Sequence, residues 1–302
     1  MGSNIDNLRR KAQECWEEAF NDGPYSNFLQ GEYLVNKSGE PWGSILKDKN
    51  LLKKKIKIED LTKDQSTSFI RTWWAAGRCT SFATRIVRQL QEYSSASFDF
   101  KFYDLNGHRV ARCMKTGILI DSSSATGVLV LNDGDDWTTI AGDTRNRQWK
   151  WRAGMSKFDG GQGLVCSLSL SLPITWGFLT RLETHGRLEG VRKCPLCPAV
   201  SFAQGSAHFH GMIKWVPSKN QLILIQQLGN RDSITIQFDK SGTTATETEC
   251  RDAVADFITQ CGGPEGKKQW RFGQPGHRAM DIHDKIWSAA IQAWGHPHIP
   301  RR

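Results

Sequence analysis

Three residues have the types and the order of a thiol catalytic triad: Cys79, His108 and Asp121. The cysteine follows Gly-Arg, the histidine follows a glycine, and the aspartate closes the apolar run Ile-Leu-Ile. A thiol becomes a thiolate when a nearby base takes its proton, and that base needs a third group to hold its tautomer. The three residues therefore indicate an enzyme that passes through a thioester. The ordinary alternative for such a trio is a small buried cysteine and a surface histidine.

Each of these residues lies where a secondary-structure element is predicted to begin or end. Apolar residues at 82, 86, 87 and 90 share one helical face, which predicts a helix that begins at Cys79. The dipole and free N–H groups of a helix N-terminus favour thiolate over thiol, and those N–H groups can form half of an oxyanion hole. The stretches 98–103, 110–114 and 117–121 predict a strand and then a hairpin. His108 and Asp121 would then lie on paired strands.

These segments resemble the transglutaminase-like superfamily and the related arylamine N-acetyltransferases, both members of the papain-like cysteine group. Gly-Arg-Cys at 77–79 is similar to the start of the acetyltransferase motif, whereas Phe-Ala at 82–83 and Gly-His at 107–108 are closer to the transglutaminase pattern. The resemblance covers about residues 77–123. It implies one role for each triad residue, with the nucleophile at Cys79, the base and acid at His108, and the orienting carboxylate at Asp121.

The resemblance and the element pattern together predict an α+β fold. We expect a papain/transglutaminase-like core, in which the nucleophile helix packs on an antiparallel sheet, and an elaborated C-terminal half. The expected organisation is a single catalytic domain over residues 1–302. Its parts are an N-terminal helical and basic segment at 1–70, the triad core at 71–150, and additional strands and C-terminal helices at 151–302.

Elements outside the triad core follow from periodicity and turn residues. Helical spacing predicts a helix over 5–20, and glycine and proline predict a loop from 21 to 44. In the second half we predict strands at 213–216, 221–226 and 233–238, then helices at 251–261 and 280–294. His296 and His298 follow in a proline-containing tail that is predicted to be disordered.

The composition is that of a soluble globular protein. The 302 residues contain no apolar run that could span a bilayer, and the N-terminus has no apolar signal core, so we expect a cytoplasmic protein without membrane contact. Eight scattered cysteines are expected to be reduced thiols. The absence of phosphate-loop, dinucleotide and serine-elbow motifs argues against ATP hydrolysis, hydride transfer and serine hydrolase chemistry.

A surplus of positive charge favours an anionic partner. Forty Lys and Arg against 31 Asp and Glu give a net charge of +9. Coenzyme A, a carrier-protein phosphopantetheine arm and aminoacyl-tRNA all satisfy that charge as acyl donors. The stretch 145–152 interleaves cations with tryptophans, which predicts contact with single-stranded RNA or a nucleotide, unless its tryptophans pack inward. The expected substrate-binding residues are Trp74, Arg78, Arg109, Arg147, Trp149 and Trp151.

A second constellation could hold a metal. Cys194 and Cys197 form a Cys-x-x-Cys knuckle, which suits one edge of a tetrahedral zinc site. His208 and His210 are spaced to share one face of a strand, so both could be ligands. The alternative is a loop and a strand without metal. Zinc would be structural, because the proposed thiol chemistry requires no cofactor.

The predicted reaction is acyl transfer that forms an amide or peptide bond through a thioester on Cys79. The acyl donor would be an activated acyl or aminoacyl group, and the acceptor an amine. An aminoacyl-tRNA donor would give a dipeptide or a cyclic dipeptide. Two alternatives remain open: a cysteine protease or deamidase that uses the same triad with water, and a non-catalytic RNA- or protein-binding module.

Overall fold

The computed structural model describes residues 2–21, 25–48, 50–56, 79–105, 108–121, 128–138, 147–156, 162–168, 199–204, 208–226, 233–260 and 275–300. Its helices are α1 (Gly2–Asn21), α2 (Phe28–Ser38), α3 (Trp42–Lys47), α4 (Leu51–Lys55), α5 (Cys79–Tyr93), α6 (Thr244–Gln260) and α7 (Pro275–Trp294), with a 3-10 turn at Pro217–Lys219.

The strands begin with β1 (Tyr25–Ser26), β2 (Phe100–Leu105), β3 (His108–Cys113), β4 (Ile118–Ile120), β5 (Val128–Val130), β6 (Asp136–Thr138) and β7 (Arg147–Ser156). They continue with β8 (Gln162–Leu168), β9 (Ala199–Gln204), β10 (His208–Val216), β11 (Gln221–Gln226), β12 (Ser233–Asp239) and β13 (His296–His298). Helices are thus combined with strands whose described registers are all antiparallel, so the predicted α+β class is confirmed.

The chain divides into two compact units. The first comprises residues 1–21, 66–176 and 206–208, and the second comprises 22–65, 177–205 and 209–302. All three residues of the predicted triad belong to the first unit.

In the first unit, two amphipathic helices cover a four-stranded sheet of order β2-β3-β4-β5. Helix α1 contacts α5, β4 and β5, while α5 contacts β3. An ion pair between Arg85 Nη2 and Glu18 Oε1, at 3.4 Å, also joins α5 to α1. The buried face of α1 consists of Leu8, Ala12, Cys15, Trp16 and Ala19, and that of α5 of Phe82, Ala83, Ile86, Val87 and Leu90. The helices predicted from spacing at 5–20 and from Cys79 are therefore confirmed.

The predicted hairpin after His108 is also confirmed. The turn between β3 and β4 ends at Gly117, whose positive φ of 72° favours glycine and whose N–H donates to the Cys113 carbonyl at 3.0 Å. All three residues of β4 are buried. A second sheet in this unit has three strands, in the order β6-β7-β8.

In the second unit, a six-stranded sheet of order β1-β9-β10-β11-β12-β13 is covered by helices. Helix α7 contacts α2, α3 and β12, and α6 contacts β13. The core between them is aromatic, since Trp215 lies 5.4 Å from Phe238 and 6.2 Å from Trp287 between ring centroids. His283 is buried in the same cluster and accepts a hydrogen bond at Nδ1 from Trp215 Nε1 at 3.2 Å.

The predicted loop from 21 to 44 was wrong, because most of that stretch is helical. Gly31 lies inside α2, where the ring of Trp42 packs 3.1 Å from the position a Cβ would take. Gly39 caps the end of α2 at a φ of 69°, and Pro41 precedes the first residue of α3. Three of the residues taken for loop signals are thus a close packing site, a helix end and a helix start.

The prediction that His296 and His298 are disordered was also wrong. Both belong to β13, which pairs with the end of β12. His296 Nδ1 lies 3.3 Å from Glu247 Oε2, and His298 Nδ1 lies 3.5 Å from Asp239 Oδ1. Strand pairing and these two carboxylates together hold the segment in place.

Gly295→Ala is expected to destabilise the second unit by about 2 kcal/mol. Gly295 has a φ of 109°, and a Cβ there would overlap the backbone carbonyl of Asp239. The measurement is the midpoint of urea unfolding. Gly43→Ala is the matched control, because a Cβ at Gly43 meets no atom within 4 Å in helix α3 and is expected to be neutral or stabilising. Equal midpoints for the two variants would contradict this prediction.

Candidate active site

Cys79 is the first residue of α5, a helix of 15 residues. Its position at this N-terminus is the one predicted from the sequence. The free N–H groups there favour a thiolate over a thiol. The side chain of Cys79 lies outside the described part of the structure, as do Trp74 and Arg78 entirely.

His108 and Asp121 occupy nearby positions on two paired strands. His108 opens β3, where it pairs with Leu105 of β2, and Ala111 further along β3 pairs with Ile120 of β4. Continuing that register by one residue sets position 121 opposite position 110, two residues from His108. Positions 108 and 121 are then diagonal neighbours on one face, a relationship that separates Cα atoms by about 7–8 Å in antiparallel sheets. The His108 side chain itself lies outside the described residues.

Asp121 directly follows β4 and is only 2% exposed. Burial of a carboxylate is costly unless it is hydrogen-bonded or paired with charge. A buried acid at the end of a strand suits a group that orients a neighbour. The role of Asp121 as the third member of a triad stays a prediction.

Helix α5 packs on β3, the strand that begins with His108. The sequence predicted this arrangement, a helix that carries a cysteine against strands that carry a histidine and an aspartate. In such an arrangement the imidazole can take the thiol proton when the ring comes within hydrogen-bond reach. The backbone N–H groups at the helix start can stabilise an oxyanion.

Three other cysteines provide a contrast to Cys79. Cys15, Cys113 and Cys250 are buried and reduced. Burial raises the pKa of the Cys15 thiol, and it raises that of Cys250 to about 11. Thiols with raised pKa react slowly at neutral pH because the thiolate is the nucleophile.

The predicted substrate-binding residues that the structure describes lie on two different sheets. Arg109 is the second residue of β3 and pairs with Asp104 of β2. Arg147, Trp149 and Trp151 lie at alternate positions of β7. Their side chains are outside the described residues, so their role in binding stays a prediction.

The zinc prediction is likewise untested. Cys194 and Cys197 lie outside the described residues, and His208 and His210 belong to β10. Where side chains are described, no three His, Cys, Asp or Glu residues are grouped closely enough to hold a metal ion.

A polar cluster that sequence reasoning missed lies in the second unit. Glu247 Oε1 accepts hydrogen bonds from Arg251 Nε at 3.0 Å and from Trp287 Nε1 at 3.2 Å. Burial alone would raise the pKa of Glu247, but these bonds, together with one from His296, lower it. The spacing of Glu247 and Arg251 at i, i+4 on α6 is the signal that could have revealed part of this cluster.

No protein-family model matches the chain, and neither a curated protein nor a solved structure matches it. Within the described ranges, no helix has both the length and the apolar character needed to cross a bilayer.

Proposed function

We propose that this protein is a cysteine-dependent acyltransferase with a papain/transglutaminase-like core, in which Cys79 forms a thioester with the acyl group. One observation carries the proposal. Helix α5 begins at Cys79 and packs on β3, and the β3–β4 register, if it continued past its observed pairs, would make positions 108 and 121 diagonal neighbours. The resemblance of residues 77–123 to the transglutaminase-like and arylamine N-acetyltransferase families supports the same roles.

The reaction has two halves that share one base. His108 takes the thiol proton, Cys79 Sγ bonds to the acyl carbonyl carbon, and the leaving group departs with the proton that His108 returns. An amine then attacks the thioester, His108 takes the amine proton, and the C–S bond breaks to release an amide and return the proton to Cys79. Asp121 holds the imidazole tautomer throughout. Backbone N–H groups at the start of α5 stabilise each tetrahedral oxyanion.

The donor is an activated acyl compound, and the charge of the chain favours an anionic one. A net charge of +9 suits coenzyme A, a phosphopantetheine arm or aminoacyl-tRNA. An aminoacyl donor would give a dipeptide or a cyclic dipeptide. This chemistry requires no cofactor. A zinc ion held by Cys194, Cys197, His208 and His210 would be structural.

Intact mass spectrometry of the protein purified from its expression host tests this function. We expect an adduct that brief hydroxylamine treatment removes, because a thioester reacts with hydroxylamine. The adduct should be absent from Cys79→Ala, and its mass would identify the acyl group. Cys250→Ala is the matched control, since Cys250 is buried, its thiol pKa is raised to about 11, and its loss should leave the adduct intact.

Iodoacetamide near neutral pH completes the test when the purified protein carries no adduct. We expect Cys79 to be alkylated first, ahead of Cys15, Cys113 and Cys250, because a base and a helix N-terminus favour its thiolate. Alkylation of Cys79 no faster than that of the buried cysteines would contradict the proposed function. The non-catalytic binding module would then be the better interpretation.

A further inference from the structure

Strand β13 places two partly exposed histidines on one side of the six-stranded sheet. His296 and His298 are two positions apart, so their side chains leave the strand in the same direction, whereas Pro297 between them is buried. The side chain of His296 is 41% exposed, and that of His298 is 22% exposed. Both imidazoles are therefore accessible to a small ligand from solvent.

Each of these imidazoles has its Nδ1 atom beside a carboxylate. His296 Nδ1 lies 3.3 Å from Glu247 Oε2, and His298 Nδ1 lies 3.5 Å from Asp239 Oδ1. Ser241 Oγ also lies 3.5 Å from His298 Nδ1. A carboxylate beside Nδ1 favours the tautomer that carries its proton there, and Nε2 then has a lone pair for a ligand. Histidines that bind metals commonly have a carboxylate partner of this kind on the other ring nitrogen.

Other hydrogen bonds hold both carboxylates in place. Asp239 Oδ1 accepts one from the backbone N–H of Ser241 at 2.8 Å and one from the Ser241 hydroxyl at 2.6 Å. Glu247 Oε1 accepts the bonds from Arg251 and Trp287 described above. The groups that orient the two imidazoles are thus fixed by the fold itself.

The backbone around the two histidines is also closely packed. A Cβ at Gly242 would overlap the carbonyl of His296, and a Cβ at Gly295 would overlap the carbonyl of Asp239. Because these approaches leave no room for a side chain, the turn after β12 and the start of β13 are held in one relative position. A fixed scaffold lowers the entropic cost of bringing two side chains onto one ligand.

We propose that Nε2 of His296 and Nε2 of His298 bind one divalent first-row transition metal ion, such as Zn²⁺. Imidazole nitrogen suits zinc, copper and nickel, and zinc–nitrogen bonds are about 2.0–2.1 Å long. Residues two apart on a strand are separated by about 6.8 Å, so two imidazoles that lean toward each other can reach one ion. Within the described ranges no group of three His, Cys, Asp or Glu forms a metal site, so water completes the coordination of this two-histidine site.

This metal site does not depend on the proposed thioester chemistry. It lies in the second unit, whereas Cys79 lies in the first. Its ligands also differ from the four residues predicted from the sequence to hold zinc. Two protein ligands leave coordination positions open, so the ion can exchange with solution and accept a further ligand.

Isothermal titration of the purified protein with Zn²⁺ tests the site. We expect His296→Ala and His298→Ala each to bind one zinc ion fewer than the wild type, because one imidazole alone does not retain the ion. Asp239→Asn should keep the site but weaken it about tenfold, since the carboxylate that orients His298 is lost. His277→Ala is the matched control, because His277 is a partly exposed histidine of α7 and its loss should leave the number of bound ions unchanged.

Circular dichroism checks that each variant is folded, and His298→Gln replaces His298→Ala if the alanine variant does not fold. Cys194→Ala separates this site from the Cys-x-x-Cys knuckle and should retain the ion bound by β13. Wild-type zinc binding in the variants of His296 and His298 would overturn the proposal. An equal loss in His277→Ala, or a loss in Cys194→Ala alone, would overturn it as well.

Discussion

Asp121→Asn is expected to slow the alkylation of Cys79 by iodoacetamide at least about tenfold at pH 7. The amide keeps the shape of the carboxylate but carries no charge, and its NH₂ group favours the wrong imidazole tautomer. In the proposed triad, the imidazolium of His108 would then lose its stabilising anion, and the thiolate of Cys79 would lose its partner. The variant should behave as an ordinary thiol, with a rate that rises as pH approaches about 8.5. The rate constant is measured by intact mass across this pH range.

Asp133→Asn is the matched control for that experiment. Asp133 lies exposed in the turn after β5, so the same chemical change should leave the alkylation rate and its pH profile unchanged. Because Asp121 is buried, circular dichroism must show that its variant is folded. A folded Asp121→Asn protein that reacts as fast as the wild type would rule out the orienting role of this carboxylate.

The second large effect that we expect is a loss of stability of the second unit at acidic pH, caused by the histidine buried in its core. Burial, with a smaller contribution from Arg251, lowers the pKa of His283 from 6.5 to about 4. Between these values the unfolded chain binds a proton that the folded chain does not, so stability falls as pH falls. The part of the free energy of unfolding that depends on a neutral His283 is fully present above pH 6.5, and about 3 kcal/mol of it is lost by pH 4. Urea unfolding at successive pH values, followed by tryptophan fluorescence, measures this loss.

His283→Gln should flatten the pH dependence between pH 6.5 and 4, because glutamine can accept the Trp215 hydrogen bond but does not titrate. His277→Gln, in the same helix at a partly exposed position, should retain the wild-type slope. Other groups, such as Glu247 and Asp239, contribute to acid unfolding through their own lowered pKa values. The difference between the two variants isolates the buried imidazole, and identical slopes would refute its role.

Local pattern was sufficient to predict the elements that carry the candidate site. The apolar spacing of α1 and α5 is regular, and Gly117 marks the turn of the β3–β4 hairpin. These elements are stabilised by contacts between residues close in sequence or by a continuous apolar face. The start of α5 at Cys79 followed from the same signals, whereas β3 begins at His108, two residues before the predicted strand at 110–114.

Long-range packing decided the elements that sequence reasoning missed. Helix α2 contains Gly31, and a glycine in the sequence suggests that a helix is broken. In the structure, the ring of Trp42 packs in the space beside this glycine. Strand β13 has three residues, too few to show periodicity, and its partners on β12 lie far away in sequence. The local sequence pattern did not indicate that His283 is buried. Its burial depends on Trp215 and other aromatic rings that only the fold brings near.

Strand β13 also determines whether another chain can pair with this end of the six-stranded sheet. An open strand edge is a template for pairing with other chains, and short edge strands with proline and charge are the usual protection. Here Pro297 at the centre of β13 has no N–H to donate to an incoming strand. Without this strand, β12 would present an open edge at residues 237–239, so the last pairing of the sheet acts as a guard against aggregation.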